Sequence, residues 1–384
     1  MCSNELINLA SDLISIPSVS GTEKKLVDYL SALFSSYGFK TEIMPSGSIV
    51  AIIEGDAPGP TIVMDGHIDT VTVPDISLWH TDPYRATVKD GRLYGRGASD
   101  MKASCASMIM AFREFSSRPF NGRLILACIV EEERFEGVAS REISDRFNPD
   151  YVIIGEATHG RLNLGQRGRA EVLVSTFGKS CHSSNPEEGV NAIRKMLDVM
   201  KVIDTLPIKH DEYLSDAIME PTDIISKPYP GASVIPEGCY VTYDRRTLVG
   251  ESMDDITRPI EDALKEHGVD ARVEIALGTT TSYSGSKLEA YRFFPAWRVD
   301  ESSDIAKKAI KGLKDASLFE GVGYYHFCTN GSHYAGEKNI PTIGYGPGEE
   351  RLAHIVDEYV TIADLEKCQK GFVAILNGLF ERIL

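Results

Sequence analysis

The sequence predicts an α/β protein whose main domain is interrupted by a smaller two-layer α+β domain. Short apolar runs such as Leu124 to Val130 lack alternation and are bounded by turn residues, as in strands covered on both faces. Segments with a helical apolar period lie between them. From about residue 168 the pattern changes, because Ala170 to Phe177 alternates polar and apolar and so reads as a strand with one exposed face. A chain of 384 residues also exceeds what one hydrophobic core usually supports. The expected division is a main domain over 1–168 and 283–384, with the insert over 169–282.

The elements follow in order. Leu6, Leu9, Ala10, Leu13 and Ile14 share one helical face, and Pro17 ends that helix. Ser20 to Glu23 has capping-box spacing for a second helix, which carries Leu26, Tyr29, Leu30, Leu33 and Phe34 up to Gly38. Ile49 to Glu54, Thr61 to Asp65, Leu124 to Val130 and Tyr151 to Gly155 are expected strands. Asp100 to Phe115, rich in Ala and Met, is the expected crossover helix. The insert reads as a strand (Ala170 to Phe177), a helix (about Gly189 to Asp204) and a strand around Cys239 to Tyr243. A helix around Met253 to His267 and a strand around Ala271 to Ala276 complete it. After a Gly/Ser/Thr-rich connection from Gly278 to Ser286, helical period resumes at Asp304 to Leu313. An apolar run over Ile340 to Tyr345 and a last helix over Ile362 to Leu384 end the chain.

Composition narrows the function classes. Forty basic against fifty-six acidic residues leave a formal charge of −16, which repels phosphate backbones and anionic lipids. No nucleic-acid or membrane partner is expected, and Leu124 to Val130 is too short to cross a bilayer. The N-terminal segment carries Glu5 and Asp12 and does not read as a signal peptide. Seven cysteines without a C-x-x-C pair favour reduced thiols, so a cytoplasmic location is expected.

Open α/β sheets place ligands at the carboxyl ends of their strands. Here the strand ending at Asp65 is followed by His67 and Asp69, the one ending at Val130 by Glu131, Glu132 and Glu133, and the one ending at Ile154 by Glu156. The crossover helix brings Asp100 to the same rim. So many carboxylates in one place are costly unless a cation neutralises them. A His-x-Asp pair is common by itself; its position at a strand end gives it weight. Asp100 follows a glycine-rich run from Gly95, and a carboxylate there can bridge two cations. Adjacent glutamates can divide two tasks, metal ligation and proton transfer, provided the chain turns so that both face one way. His354 follows the glycine-rich stretch Gly344 to Gly348.

These residues carry a resemblance. The runs Met64 to Val71 (MDGHIDTV) and Gly95 to Lys102 (GRGASDMK), the glutamates after a strand, Gly155 to Ala157 and Ala353-His354 resemble the five metal-site motifs of the M20 metallopeptidase family, in family order. That family includes acetylornithine deacetylase, succinyl-diaminopimelate desuccinylase, carboxypeptidase G and aminoacylases; the full pattern is most similar to its YgeY-type branch. The resemblance implies a mixed-sheet catalytic domain with an inserted lid and dimerisation domain. It implies two divalent metal ions, zinc first, with cobalt or manganese as alternatives. Asp100 would bridge them, His67 and Glu156 would complete one, and Glu133 and His354 the other. Glu132 would be the general base, and Asp69 would orient His67. Among the three glutamates, 132 and 133 fit because Gly137 then falls where the family's loop has a glycine. The peptide after the bridging aspartate is cis in the family.

In the insert, the loop Gly178 to Pro186 matches the one whose histidine, here His182, stabilises the oxyanion, often across a dimer. Asp244 to Arg246 matches a D-x-R motif, with Arg246 holding a substrate carboxylate. Two positions depart from the family. Ser233 stands where an asparagine is usual, and Thr329 to His333 replaces a Gly-Gly-Thr/Ser-Asp pattern, leaving Ser233 and Gly331 as the substrate-side residues there. The implied activity is hydrolysis of an amide bond, peptide or N-acyl, in a small carboxylate-bearing substrate by a homodimer. Hydrolysis of a carbamoyl or ureido C–N bond and a catalytically silent metal- or ligand-binding homologue are the alternatives.

Overall fold

The computed structural model describes residues 2–381 and divides into two compact units. The first comprises Met1–Gln166, Thr279–Glu289 and Arg298–Leu384; the second comprises Arg167–Gly278 and Ala290–Trp297.

The first unit is built on a mixed sheet. Seven of its nine strands lie in the order Lys40–Ile43, Ile49–Glu54, Arg123–Ile129, Thr61–His67, Tyr151–Ile154, Thr342–Gly344 and Leu162–Gln166. The four from Arg123–Ile129 to Thr342–Gly344 run parallel, so their carboxyl ends meet on one edge. They are the chain's continuous apolar runs, as strands covered on both faces should be. Helix Lys102–Ser116 packs against helices Cys2–Ser15 and Ile362–Leu379. Leu13, Leu26, Phe34, Met64, Phe112, Leu124 and Phe372 belong to the common core. The last helix stops at Leu379; residues 382–384 of its expected span lie outside the described residues.

Two local expectations fail. The crossover helix begins at Lys102, which leaves Asp100 in the preceding loop. The second helix begins at Lys24 without a side-chain cap. Its capping-box residues are used elsewhere: Ser20 Oγ donates to Asp69 Oδ2 (2.7 Å), and Glu23 Oε1 accepts the Glu131 N–H (3.2 Å). A local rule has yielded to a tertiary demand, as is common near functional sites.

The second unit is an antiparallel sheet in the order Ile218–Lys227, Gly238–Thr247, Gly168–Phe177 and Arg272–Ile275. Helices Ala192–Ile203 and Met253–Glu266 cover one face, where Val172, Val174, Val241 and Tyr243 meet Met196, Val199, Ile256 and Ile260. Asn191 and Ser252 cap these helices through their side chains. The edge strand Ile218–Lys227 was not expected. Pro221 and Asp223 break its alternation at a register shift, and proline is tolerated because the strand is an edge. The Gly/Ser/Thr-rich stretch is likewise no simple connection: Leu277–Thr281 pairs with Lys287–Tyr291.

Candidate metal centre

The parallel strand ends deliver the predicted ligands to one place. His67 closes strand Thr61–His67, and Glu156 stands two residues beyond Ile154. Glycines let the crossover helix and the residue before it press against these ends, because a Cβ at Gly66 would lie 2.9 Å from Met101 Cε and one at Gly155 would collide with Met108 Sδ. The Asp100–Met101 peptide is cis.

Adjacent glutamates need a turn to face one way, and Glu131 supplies it with φ of +63°. Asp69 fixes that turn. Its Oδ1 accepts the Glu132 N–H and its Oδ2 the Glu133 N–H, each at 3.1 Å. The His67 ring lies closer to the Asp69 main chain than to its carboxylate: Nδ1 is 3.0 Å from the carbonyl oxygen and 3.6 Å from Oδ1. Gly137, at φ +75°, closes the turn with its N–H on Asn330 Oδ1 (2.7 Å).

Asp100 stands between two imidazoles. Its Oδ1 is 2.9 Å from His67 Nε2, and its Oδ2 is 3.2 Å from His354 Nε2. Glu156 Oε1 lies 3.3 Å from His67 Nε2, Glu133 Oε2 lies 2.9 Å from His354 Nε2, and Glu132 Oε2 lies 4.0 Å from His67 Nε2. Potential ligand atoms of His67, Asp100 and Glu133 fall within 4.8 Å of one another, as do those of His67, Glu132 and Glu156. Among the described residues, buried Glu132 Oε1 and Glu156 Oε2 have no hydrogen-bond partner. Oxygens left in that state are suited to a cation.

The electrostatics carry the same message. Burial pushes the Glu132 carboxyl well above its ordinary range, and neighbouring Glu156 and Glu133 push it further despite His67. Burial and then Asp100 raise Glu156, and the same causes raise Glu133 to about 7. Burial opposes charge on His67, but Glu156, Glu132 and Asp100 outweigh it and hold the ring well above the usual histidine value. Hydrogen bonds to Asp100 and Glu133 raise His354 to about 10. Asp100 goes the other way: burial is overcome by both imidazoles, which hold it below the usual carboxylate range. An acidic cluster whose pKa values are spread this far apart is a site that positive charge completes.

The remaining predicted residues are placed as follows. Gly331 is buried in the first unit, with its N–H on Thr329 Oγ1 (3.0 Å). Within the second unit, exposed His182 and Ser233 lie on paired segments: the Ser183 N–H donates to the Ser233 carbonyl (2.9 Å), and His182 bridges Val234. His182 Nδ1 accepts the Ser184 N–H (3.1 Å), so a neutral ring carries its proton on Nε2. Ser233 has φ of +52°, a conformation asparagine adopts more readily than serine. Arg246 Nε donates to Asp244 Oδ1 (2.8 Å).

Two buried carboxylates went unread as supports in the sequence. Asp65 is fully buried and accepts from Asn330 Nδ2 (2.8 Å), Tyr334 OH (2.8 Å) and Ser140 Oγ (3.0 Å). Glu358 is also fully buried, against the loop of Asp100. Asp65 had only its place in an apolar run to mark it, and Glu358 only its place four residues after His354.

Fold and site together define a mixed α/β protein whose parallel strand ends gather a candidate metal centre. The model of peptidase family M20/M25/M40 matches residues 63–378, and the chain belongs to this family. It is 31% identical to the YgeY protein of Escherichia coli (strain K12) over 97% of this chain and 93% of that one. It is 35% identical to acetylornithine deacetylase of Vibrio vulnificus (strain CMCP6), covering 92% and 91% of the two chains. An M20 family metallo-carboxypeptidase from Sulfolobus solfataricus shares the fold, with a TM-score of 0.77 at 18% identity over 98% of this chain and 99% of the other. Among the described residues, no helix is long and apolar enough to cross a membrane.

Proposed function

We propose that the protein is a dinuclear amidohydrolase that cleaves a peptide or N-acyl bond in a small substrate bearing a free carboxylate. The observation that carries this is Asp100, whose two oxygens face two different imidazoles, each with its own glutamate. His67 and Glu156 would hold one ion, His354 and Glu133 the other, and Asp100 both. Bound there, two zinc ions would polarise the scissile carbonyl and acidify the attacking water.

The chain's own residues do the rest. Glu132 is left for proton transfer: its Oε2 lies 4.0 Å from His67 Nε2, and its buried Oε1 has no hydrogen-bond partner among the described residues. It takes a proton as the water oxygen bonds to the carbonyl carbon. It returns that proton to the nitrogen as the C–N bond breaks. Asp69 holds Glu132 and Glu133 in their turn through two backbone N–H groups. His182, with its Nε2 proton, is the donor for the developing oxyanion, and Arg246 is the fork for the substrate carboxylate. Ser233 and Gly331 complete the substrate side.

Dimerisation through the inserted unit is supported by its edge strand, where Ile224 and Ile225 are exposed, and by exposed Leu197 on the adjoining helix. A cytoplasmic location rests on the reduced thiols alone.

The test pairs metal analysis with a substrate screen. Two zinc ions per chain and hydrolysis of N-acyl amino acids or dipeptides are expected. One ion or none at saturation would end the dinuclear reading. Turnover confined to carbamoyl or ureido compounds would move the reaction to another C–N bond.

A further inference from the structure

We infer that Glu358, acting with Arg96, is a positioning residue that sets the place of both Asp100 and His354 in the metal centre. Glu358 is fully buried, and one of its oxygens is surrounded by main-chain donors. Oε1 accepts the N–H groups of Gly97 (3.1 Å), Ser99 (2.8 Å) and Asp100 (3.0 Å). Oε2 accepts from Arg96 Nη1 (2.5 Å), and Arg96 Nη2 donates to the His354 carbonyl (3.4 Å). Arg96 is itself 3% exposed. One buried ion pair thus touches the backbone of the bridging aspartate and that of the more exposed histidine.

The chemistry is specific to a carboxylate. Three N–H groups converging on one oxygen favour full negative charge there, and the second oxygen must face a guanidinium. An amide at 358 could still accept on one side, but its NH₂ would then meet the Arg96 donors. The loop of Asp100 would lose the fixed end of its cradle while the hydrophobic core stayed intact. Groups standing behind metal ligands in this way commonly change metal affinity 10- to 100-fold when altered.

This inference rests on the dinuclear reading, and the experiment separates the two. Metal-free wild-type protein and Glu358→Gln are titrated with Co²⁺, following the visible absorption bands, alongside circular dichroism and thermal melts of the metal-free forms. Wild type is expected to take up two Co²⁺ ions in a reproducible spectrum. Glu358→Gln is expected to keep its circular dichroism, bind Co²⁺ at least tenfold more weakly and show an altered spectrum. Once saturated with metal it should lose kcat with KM little changed. Should Glu358→Gln unfold, Arg96→Lys, which keeps the charge without the fork, must show the same spectral change. A wild-type spectrum and affinity in a folded variant would overturn the positioning role. Failure of the wild type itself to bind a pair of ions would sink the dinuclear reading instead.

Discussion

Two histidines show how differently the two units hold their predicted site residues. His67 is 1% exposed, its Nδ1 lies against the Asp69 main chain, and its Nε2 is beside Asp100 and Glu156. His182 is exposed, and its Nδ1 is engaged only by Ser184, one residue beyond its neighbour. The same contrast separates Glu132, fixed through its N–H by Asp69, from Ser233, fixed through its carbonyl by a neighbouring loop. The candidate ligands in the first unit are positioned by sheet ends, helix packing and buried carboxylates. Polar groups in the second unit are set up with one side satisfied and the other available. On the proposed function, a tightly held cage would suit chemistry that must be invariant, and half-satisfied polar loops would suit contacts that differ from one substrate to another.

The sharpest way to break that comparison is Glu132→Gln. Measured with metal content retained, turnover should fall by about 10²–10⁴, while the metal-free protein melts higher because one buried, crowded acid is gone. Unchanged turnover would remove Glu132 as the base. His182→Ala should cost about 10²–10³ in kcat, yet leave metal content and metal-free melting temperature as they were. A loss of metal in that variant would mean that the second unit helps build the cage after all.

A smaller effect probes the first unit away from its ligands. Glu337 is 28% exposed on its side chain, with Nδ1 of His333 at 2.6 Å and Arg141 Nη2 at 2.6 Å. Burial is outweighed by these partners, and the carboxyl is held down to about 2. Its folded pKa is depressed, so its contribution is complete above about pH 4.5 and disappears as pH falls towards 2. Urea unfolding of wild type and Glu337→Gln across that range should give a difference of roughly 1 kcal/mol near pH 6, discounted for partial exposure. The difference should vanish by about pH 2; a constant difference would assign the loss to shape. The smallest effect is expected for Ser233→Asn, which relieves a left-handed serine by a few tenths of a kcal/mol. Its melting temperature should not fall, and KM should move more than kcat.

The sequence made most of the candidate ligands legible because they are punctuation: a histidine or acid just after an apolar run, at the edge where an α/β sheet binds ligands. His67, the glutamates and Glu156 are of this kind, whereas Asp100 and His354 stand after glycine-rich stretches and were marked by the motif resemblance. What supports them was not legible. Ser20 and Glu23 read as a helix cap because local spacing is all that sequence shows, and their tertiary partners Asp69 and Glu131 lie far along the chain. Glu358 looks like one acid among several until its distance from the Asp100 loop is known. The edge strand Ile218–Lys227 escaped because exposed strands need no apolar alternation, and a bulge at Pro221 removed what pattern there was.

The left-handed residue at Glu131 has a consequence for how this chain can vary. It makes the proposed identities of base and ligand a matter of counting from the last residue of the strand. One amino acid added or deleted between Val130 and Glu133 would exchange the two tasks or aim both side chains into the core. Length at this corner is therefore less negotiable than side-chain chemistry, and a drifting relative should tolerate a new residue type here sooner than a shift of frame.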